Sequence, residues 1–255
     1  MDQEIKEEGK FKYIETGGDG EPLLLLHGLF GALSNFSGII SHFGEQYNVV
    51  VPILPIFDLP IVNVSVSGMV DYVCEFVDHK QFDAVNVLGN SLGGHISLLF
   101  ALARPEKIHT IILTGSSGLF ENSLGSTFPK RGDYDFIKKK TQDIFYNPDV
   151  ATKDLVDEVY NIINDRNKAI RVIATAKSAI RHNLGDKLHQ IKVPTLLAWG
   201  KQDNVTPAFV GEKFNELIEN SELVLFDECG HAPMMELPDQ FNEVLGKFLA
   251  QHCKK

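Results

Sequence analysis

The chain has 255 residues, 44% of them hydrophobic, enough to bury a large core, which excludes a disordered segment or a small disulfide-stapled module. Its 24 Lys and Arg residues are outnumbered by 34 Asp and Glu residues. The resulting net charge of −10 excludes the basic stripe of a nucleic-acid-binding surface. The three cysteines, Cys74, Cys229 and Cys253, are widely spaced, which excludes a disulfide framework and a CxxC metal site.

The N-terminal segment is charged rather than apolar. The charged side chains of residues 1–10 are mostly acidic, unlike those of a signal peptide. The chain contains no uninterrupted apolar run of about 18 residues, the length that a membrane-spanning helix needs. Residues 252–255 do not form a prenylation box. We therefore expect a cytoplasmic protein with no membrane partner.

Short apolar runs alternate with segments of helical spacing in the N-terminal half. The runs are mostly aliphatic or β-branched and close at Gly, Pro or Thr; they cover residues 23–26, 49–51, 84–88 and 108–113. Residues 66–79 and 92–103 space their apolar side chains as helices do. This alternation predicts βαβ units in a mostly parallel, doubly wound α/β sheet. Because the strands are continuously apolar, we expect both faces of the sheet to be covered.

The pattern changes after the fourth run and later resumes. Residues 118–190 contain no strongly apolar strand and several charged, helical segments. Strand and helix patterns then return from residue 193 to the C-terminus. We therefore predict a core domain of residues 1–117 and 191–255, interrupted by a helical cap of residues 118–190.

A glycine-flanked serine follows one predicted strand directly. Residues 89–93 read Gly-Asn-Ser-Leu-Gly and fit G-x-S-x-G between a strand and a helix, the context that this motif requires. A turn this sharp exposes Ser91 and leaves no room for side chains at Gly89 and Gly93. The helix beginning at Leu92 directs free N–H groups at the site. Ser91 is therefore the predicted nucleophile.

A serine hydroxyl needs a base, and the chain offers nine histidines. His231 stands in the loop after the predicted strand of residues 223–226, at the strand's carboxyl end. Open α/β sheets place their sites at that edge. The other histidines considered lie in helices, strand entries, the insertion or the tail; they are His95, His109, His182, His189 and His252. His231 is therefore the predicted base.

The acid that orients the base should follow another strand at the same edge. Asp203 follows the predicted strand of residues 193–199. The loop of residues 114–117 offers no carboxylate, which favours Asp203. Asp227, close to His231 in sequence, remains the alternative.

The oxyanion of the reaction needs two N–H donors. One should belong to Leu92, directly after the nucleophile, and the other to the loop after an early strand. In that loop Gly28 lets the backbone turn toward the site, so the Leu29 N–H is the predicted second donor. Phe30 is the alternative, and His27 is expected to brace the loop.

Four segments together resemble the α/β-hydrolase superfamily: His27-Gly28, residues 89–94, residues 199–203 and residues 230–233. The resemblance extends from residue 11 to residue 249 and implies the α/β-hydrolase fold with a helical cap. Within the superfamily, Asn90 and the stretch from residue 145 to Arg166 are similar to the esterases and the meta-cleavage-product hydrolases. The latter cut carbon–carbon bonds in ring-opened aromatic compounds.

The resemblance to that branch implies that Asn90 and Arg166 bind a substrate carboxylate or ketone. Arg suits a planar carboxylate through its bidentate fork; the alternative is a solvated Arg166 on a cap helix. The chain also departs from the pattern, because Ala232 stands where the carbon–carbon hydrolases carry Trp. Residues 57–62 replace a glycine-rich turn, which predicts an altered wall of the site.

The predicted reaction is acyl transfer to water from a small carboxylic ester, through an acyl-enzyme on Ser91. No metal or cofactor motif is present in the sequence, so neither is expected. The expected partner is a small-molecule substrate, and the expected state is a monomer or a homodimer. Two alternatives remain, a meta-cleavage-product hydrolase and a slow-turnover ligand receptor of the same fold.

Overall fold

The computed structural model describes residues 4–31, 33–120 and 130–253. The eight strands are β1 (Lys6–Glu8), β2 (Phe11–Glu15), β3 (Pro22–Leu26), β4 (Asn48–Pro52), β5 (Val85–Asn90), β6 (Ile108–Thr114), β7 (Thr195–Gly200) and β8 (Ser221–Phe226). The helices are α1 (Ser37–Phe43), α2 (Val66–His79), α3 (Leu92–Ala103), α4 (Tyr134–Gln142), α5 (Lys153–Asn164), α6 (Arg166–Arg181), α7 (Ala208–Leu217), α8 (Pro233–Glu236) and α9 (Pro238–His252).

All eight strands form one sheet, in the order β1-β2-β4-β3-β5-β6-β7-β8. The six strands from β4 to β8 in that order pair in parallel, whereas β1 and β2 join antiparallel at one edge. The prediction of a mostly parallel, doubly wound sheet is confirmed. The strands β1 and β2 were not predicted, because β1 is fully exposed and β2 lacks a continuous apolar run.

Successive residues of β3 point to opposite faces of the sheet, as the pleat requires. Leu24 and Leu26 pack with α2, α3 and α7, and Leu23 and Leu25 pack with α1 and α9. All four side chains are fully buried, and each contributes on the order of 2 kcal/mol of hydrophobic free energy. Helices therefore cover both faces of the sheet.

Among the described residues between β6 and β7 are three α-helices, α4 to α6. Each begins at a polar residue whose side chain accepts hydrogen bonds from the first-turn N–H groups. These caps are Asp133, Thr152 and Asp165. The apolar faces of α4 and α5 pack together through Ile137, Val159 and Ile163.

The division into a core of residues 1–117 and 191–255 and a cap of residues 118–190 stays a prediction. Within those bounds, residues 1–3, 32, 121–129 and 254–255 lie outside the described residues. Across the described ranges, none of the helices has the length and hydropathy needed to cross a bilayer.

Candidate active site

Ser91 occupies the turn between β5 and α3. Its backbone has φ 56° and ψ −116°, a conformation that costs a non-glycine residue on the order of 1–3 kcal/mol. A Cβ on Gly93 would lie 1.9 Å from the Leu26 carbonyl oxygen, and one on Gly89 would lie 2.4 Å from the Gly93 carbonyl. The Ser91 N–H donates to the Thr114 carbonyl at 3.0 Å. Both glycines and the bond to β6 therefore maintain the strained turn.

The imidazole of His231 and the carboxylate of Asp203 are in contact. His231 follows β8 and Asp203 follows β7, so both lie at the sheet edge where Ser91 follows β5. His231 Nδ1 lies 2.8 Å from Asp203 Oδ2, and both side chains are buried. Because a carboxylate only accepts hydrogen bonds, Nδ1 carries the proton of a neutral imidazole. Nε2 is then the basic nitrogen.

Further hydrogen bonds fix the Asp203 carboxylate. Oδ1 accepts from the Val205 and Thr206 N–H groups at 2.8 and 2.9 Å, and Oδ2 also accepts from Thr206 Oγ1 at 2.9 Å. The alternative carboxylate, Asp227, is exposed and pairs with Lys201 Nζ at 2.6 Å. The structure therefore brings Asp203, rather than Asp227, against His231.

The two predicted oxyanion donors flank the serine. Leu92 is the first residue of α3, where an N–H has no acceptor within the helix. Leu29 follows Gly28, where an added Cβ would lie 3.3 Å from the Ser91 Cβ. Throughout the part of the chain that the structure describes, neither the Leu29 nor the Leu92 N–H donates a hydrogen bond. Phe30 continues the same loop.

The side chain of His27 makes hydrogen bonds that fix the loop of residues 27–31. Its Nδ1 lies 2.8 Å from the Gly28 carbonyl oxygen, and its Nε2 accepts from the Leu54 N–H at 3.2 Å. Burial lowers the pKa of His27, which favours the neutral ring that this pair of hydrogen bonds requires. Both ring nitrogens of His27 are thus occupied by hydrogen bonds that stabilise the loop.

The side-chain amide of Asn90 connects two segments. One is the turn of residues 89–93 around Ser91 (the serine turn), and the other is the loop of residues 227–232 that carries His231 (the histidine loop). Asn90 Nδ2 lies 3.1 Å from the Thr114 carbonyl oxygen, 3.0 Å from Thr114 Oγ1 and 3.2 Å from the His231 carbonyl oxygen. Two N–H groups therefore serve three protein acceptors. Substrate binding by Asn90 stays a prediction.

One cavity of about 510 Å³ contains Ser91, His231, Leu29 and Leu92 in its lining. The helices α4 to α6 contribute half of the apolar side chains in its wall, namely Phe136, Ile137, Leu155, Val159, Ile163, Ala176, Ala179 and Ile180. An apolar wall with a few convergent polar groups is typical of a small-molecule site.

Arg166 is not brought to this cavity. It is the first residue of α6, is exposed, and does not belong to the lining. Within the described lining, Lys140 is the single Lys or Arg, and it is exposed on α4. A role of Arg166 in substrate binding stays a prediction.

Glu236 was missed by sequence reasoning, because no motif includes an acid five residues after the histidine. Its Oε2 accepts from the Tyr146 and Asn147 N–H groups at 2.7 and 3.3 Å, and its Oε1 accepts from the Gly230 N–H at 2.8 Å. The adjacent His231 N–H donates to the Ile144 carbonyl at 3.0 Å. Glu236 thus ties the histidine loop to residues 144–147.

We expect Glu236→Ala to lower kcat by about 10- to 100-fold while KM changes by less than about threefold, because small misplacements of a base are costly. Glu236→Gln keeps one acceptor oxygen, and we expect a smaller loss. Steady-state kinetics measure both effects. Glu243→Ala, which removes an exposed carboxylate paired with Lys247, serves as the control. An unchanged kcat in Glu236→Ala would show that the contacts only stabilise the fold.

Cys229 lies directly before Gly230 and is buried. Burial raises the pKa of its thiol, and the nearby Glu236 carboxylate, 3.9 Å away, raises it further. The thiol therefore stays protonated, which argues against a nucleophilic role.

The free energy of unfolding should decrease as the pH is lowered, because of His95. This residue is buried on α3, and its backbone N–H donates to the Ser91 carbonyl. Burial lowers the pKa of His95 from 6.5 to about 4. Between these values the unfolded chain binds more protons, so stability is lost as the pH falls. We expect His95 to account for a loss of about 2 kcal/mol between pH 7 and pH 5.

Urea unfolding of the wild type and His95→Leu at both pH values measures this loss. The variant should lose less free energy of unfolding than the wild type over the interval. His189→Leu, at an exposed position, should behave as the wild type does. Equal losses in the wild type and His95→Leu would contradict the assignment.

Across residues 4–31, 33–120 and 130–253, no group of three or more His, Cys, Asp or Glu side chains could hold a metal ion. The expectations of no metal and no cofactor stay predictions.

Comparisons with known proteins relate the chain to hydrolases. The sequence profile of the alpha/beta hydrolase fold matches residues 21–156 and 143–238. A solved alpha/beta hydrolase enzyme, MGS-MChE2, from the metagenome of sediments from the lagoon of Mar Chica, Morocco, is 42% identical. That match covers 97% of this chain and 98% of the other, with a TM-score of 0.81.

Two curated relatives are also named as hydrolases. The 2-hydroxy-6-oxo-6-(2'-aminophenyl)hexa-2,4-dienoic acid hydrolase of Metapseudomonas resinovorans is 27% identical, over 95% of this chain and 88% of that protein. The 2-hydroxy-6-oxononadienedioate/2-hydroxy-6-oxononatrienedioate hydrolase of Escherichia coli (strain K12) is 29% identical over 69% of this chain. That match covers 65% of the Escherichia coli protein, less than two thirds of its length.

Proposed function

Since the chain belongs to the alpha/beta hydrolase fold family and is a hydrolase, we propose that it cleaves small carboxylic esters with Ser91 as nucleophile. His231 acts as the base and Asp203 orients it. The observation that carries this proposal is that Ser91, His231 and both predicted N–H donors line the same cavity. A reacting carbonyl in that cavity has the nucleophile, the base and the oxyanion donors within its reach.

The proposed reaction has two halves. Ser91 Oγ attacks the ester carbonyl carbon while His231 Nε2 takes the hydroxyl proton, and the oxyanion is held by the Leu29 and Leu92 N–H groups. The intermediate expels the alcohol, which receives the proton from His231. Water, deprotonated by His231, then attacks the acyl carbon. The bond to Ser91 Oγ breaks, His231 returns the proton to that Oγ, and the carboxylic acid is released.

The walls of the cavity favour an uncharged acyl group. The side chains from α4 to α6 are mostly aliphatic, and an ionised group buried among them would lose its hydration without an opposite charge. The fit therefore supports an ester with an apolar acyl chain. The proposal includes the cap of residues 118–190 as the cover of the site, in a cytoplasmic monomer or homodimer.

The second candidate is carbon–carbon bond cleavage in a ring-opened aromatic compound. The names of the two curated relatives favour it. Their substrates are carboxylic acids by name, and an enzyme that binds such an anion needs a cation or several donors. With Lys140 as the one exposed cation of the described lining, the cavity supports the ester better.

A panel of p-nitrophenyl esters of increasing acyl length, run beside a chromophoric ring-cleavage dienoate, separates the two candidates. We expect multiple turnovers on the esters and kcat/KM for the dienoate at least about 10²-fold lower, since the dienoate carboxylate lacks a buried partner. A higher kcat/KM for the dienoate would favour the carbon–carbon hydrolase. Binding of esters without turnover would favour a slow-turnover receptor.

A further inference from the structure

The charge of α6 is opposite to that of the whole chain. Its 16 residues, Arg166–Arg181, include five cations and no Asp or Glu, whereas the chain carries a net charge of −10. Within the described residues, none of these cations pairs with a carboxylate, although many Lys and Arg residues elsewhere do. The cations are Arg166, Lys168, Arg171, Lys177 and Arg181.

The outward face of α6 also carries large apolar side chains. Ile170 and Ile180 are 44% and 54% exposed. Lys177 and Arg181 are exposed as well, and the spacing of three, four or seven residues places all four side chains on one face of the helix. The opposite face is buried through Val172, Thr175, Ser178 and Ala179. The solvent-facing side is therefore an isoleucine surface interspersed with cations.

A neighbouring loop extends this surface. Arg171 Nε donates to the Leu59 carbonyl at 3.3 Å, and the Val66 N–H donates to Ser178 Oγ at 3.1 Å. Between these two attachment points stand Ile61 and Val62, which are 50% and 86% exposed. Four of the eight exposed large hydrophobic residues of the described chain thus belong to α6 or to the loop beside it; they are Ile61, Val62, Ile170 and Ile180.

The surface borders the cavity that contains Ser91. Ile180 belongs both to the exposed surface and to the lining of the cavity, and Ala176 and Ala179 of the same helix also line the cavity. A flat apolar layer resting on α6 would therefore lie beside the cavity.

We propose that α6, with Ile61 and Val62, docks on the surface of a bilayer that contains anionic lipids. Isoleucines enter the headgroup region, and the long Lys and Arg side chains reach the lipid phosphates, as in interfacial amphipathic helices. Salt limits electrostatic interactions to about 8 Å. Glu158 and Asp165 lie near Lys168 at the start of α6. Lys177 and Arg181 lie toward its other end and are the cations that meet the lipid. A second copy that met this surface with its own α6 would bring like charges together, which opposes symmetric self-association through this face.

Docking at a bilayer surface departs from the expectation of no membrane partner, which rested on the absence of a spanning segment. It needs no spanning helix, because the helix lies in the plane of the interface. It is also independent of the proposed ester hydrolysis, since binding is measured without a substrate.

Co-sedimentation with vesicles tests the proposal. We expect the full chain to bind vesicles of equal parts phosphatidylglycerol and phosphatidylcholine, to bind phosphatidylcholine vesicles at least about tenfold more weakly, and to dissociate as salt is raised. The double variant Ile170→Gln/Lys177→Glu should bind the anionic vesicles at least about tenfold more weakly. The matched control, Phe209→Gln/Lys187→Glu, changes an exposed aromatic side chain and an exposed lysine elsewhere and should bind as the wild type does.

Three outcomes would overturn the proposal: no binding to the anionic vesicles, equal loss in the matched control, or binding that is insensitive to lipid charge. Size-exclusion chromatography tests the other occupant, a second copy of the chain. A wild-type dimer that becomes a monomer in the double variant would show that a second copy covers this face. If the double variant does not fold, the binding test is repeated with Val62→Gln, which lies outside the helix. Unchanged binding by a folded Val62→Gln variant would also overturn the proposal.

Discussion

Ser91→Ala is expected to lower kcat for p-nitrophenyl esters by about 10³-fold or more, because without the Oγ no acyl-enzyme can form and members of a catalytic unit act together. The residual rate should reflect the oxyanion donors and substrate binding alone. Steady-state kinetics on the preferred ester measure the loss. Since Ala adopts φ 56° no more readily than Ser does, we expect no large change in the free energy of unfolding.

The neighbouring serine provides the control. Ser117 lines the same cavity, and its hydroxyl lies 3.4 Å from the Ser91 carbonyl oxygen. Ser117→Ala should retain kcat within about tenfold, since its hydroxyl makes one ordinary hydrogen bond. Activity near that of the wild type in Ser91→Ala, or a collapse in Ser117→Ala alone, would place the nucleophile elsewhere.

Asp203→Asn should lower kcat by about 10⁴-fold, as expected when the acid of a serine–histidine–acid unit becomes an amide. The Oδ1 acceptor for Val205 and Thr206 can be kept, so the loop should retain its shape. The new NH₂ group then faces His231 Nδ1 and favours the tautomer with its proton on Nε2, which cannot accept the Ser91 proton. The dependence of kcat on pH, measured beside the wild type, reports this change.

Asp227→Asn is the matched control for this carboxylate. Asp227 is exposed and paired with Lys201, and a surface ion pair contributes about 0–1 kcal/mol. We therefore expect kcat within about twofold of the wild type, because the pair does not touch His231. If Asp227→Asn lost activity and Asp203→Asn kept it, the assignment of the acid would be wrong.

The sheet and the serine turn could be predicted because their signals are local. Largely apolar runs at β3, β5 and β6 indicate strands buried on both faces, wherever those strands stand in the sheet. Gly89 and Gly93 are needed within four residues of each other, so the turn around Ser91 is encoded by one short segment. The small edge strand β1 has no such signal, because all of its residues are exposed.

Contacts between distant segments could not be predicted in the same way. Asp203 and Asp227 both follow a strand, and the fold alone brings the first to His231 and leaves the second beside Lys201. Glu236 likewise gains its role from residues 146 and 147, some 90 positions away. Arg166 stands outside the cavity because it begins α6 on the exposed side.

The sequence by itself therefore determined the α/β sheet and the serine turn, because each depends on residues close together in the chain. Only the tertiary structure decided which carboxylate meets the histidine and which side chains form the cavity. It also decided which face of α6 is exposed, since the spacing of Ile170, Lys177 and Ile180 defines a common face but not its neighbours. Burial and pairing across the fold belong to the packed chain, and no single segment encodes them.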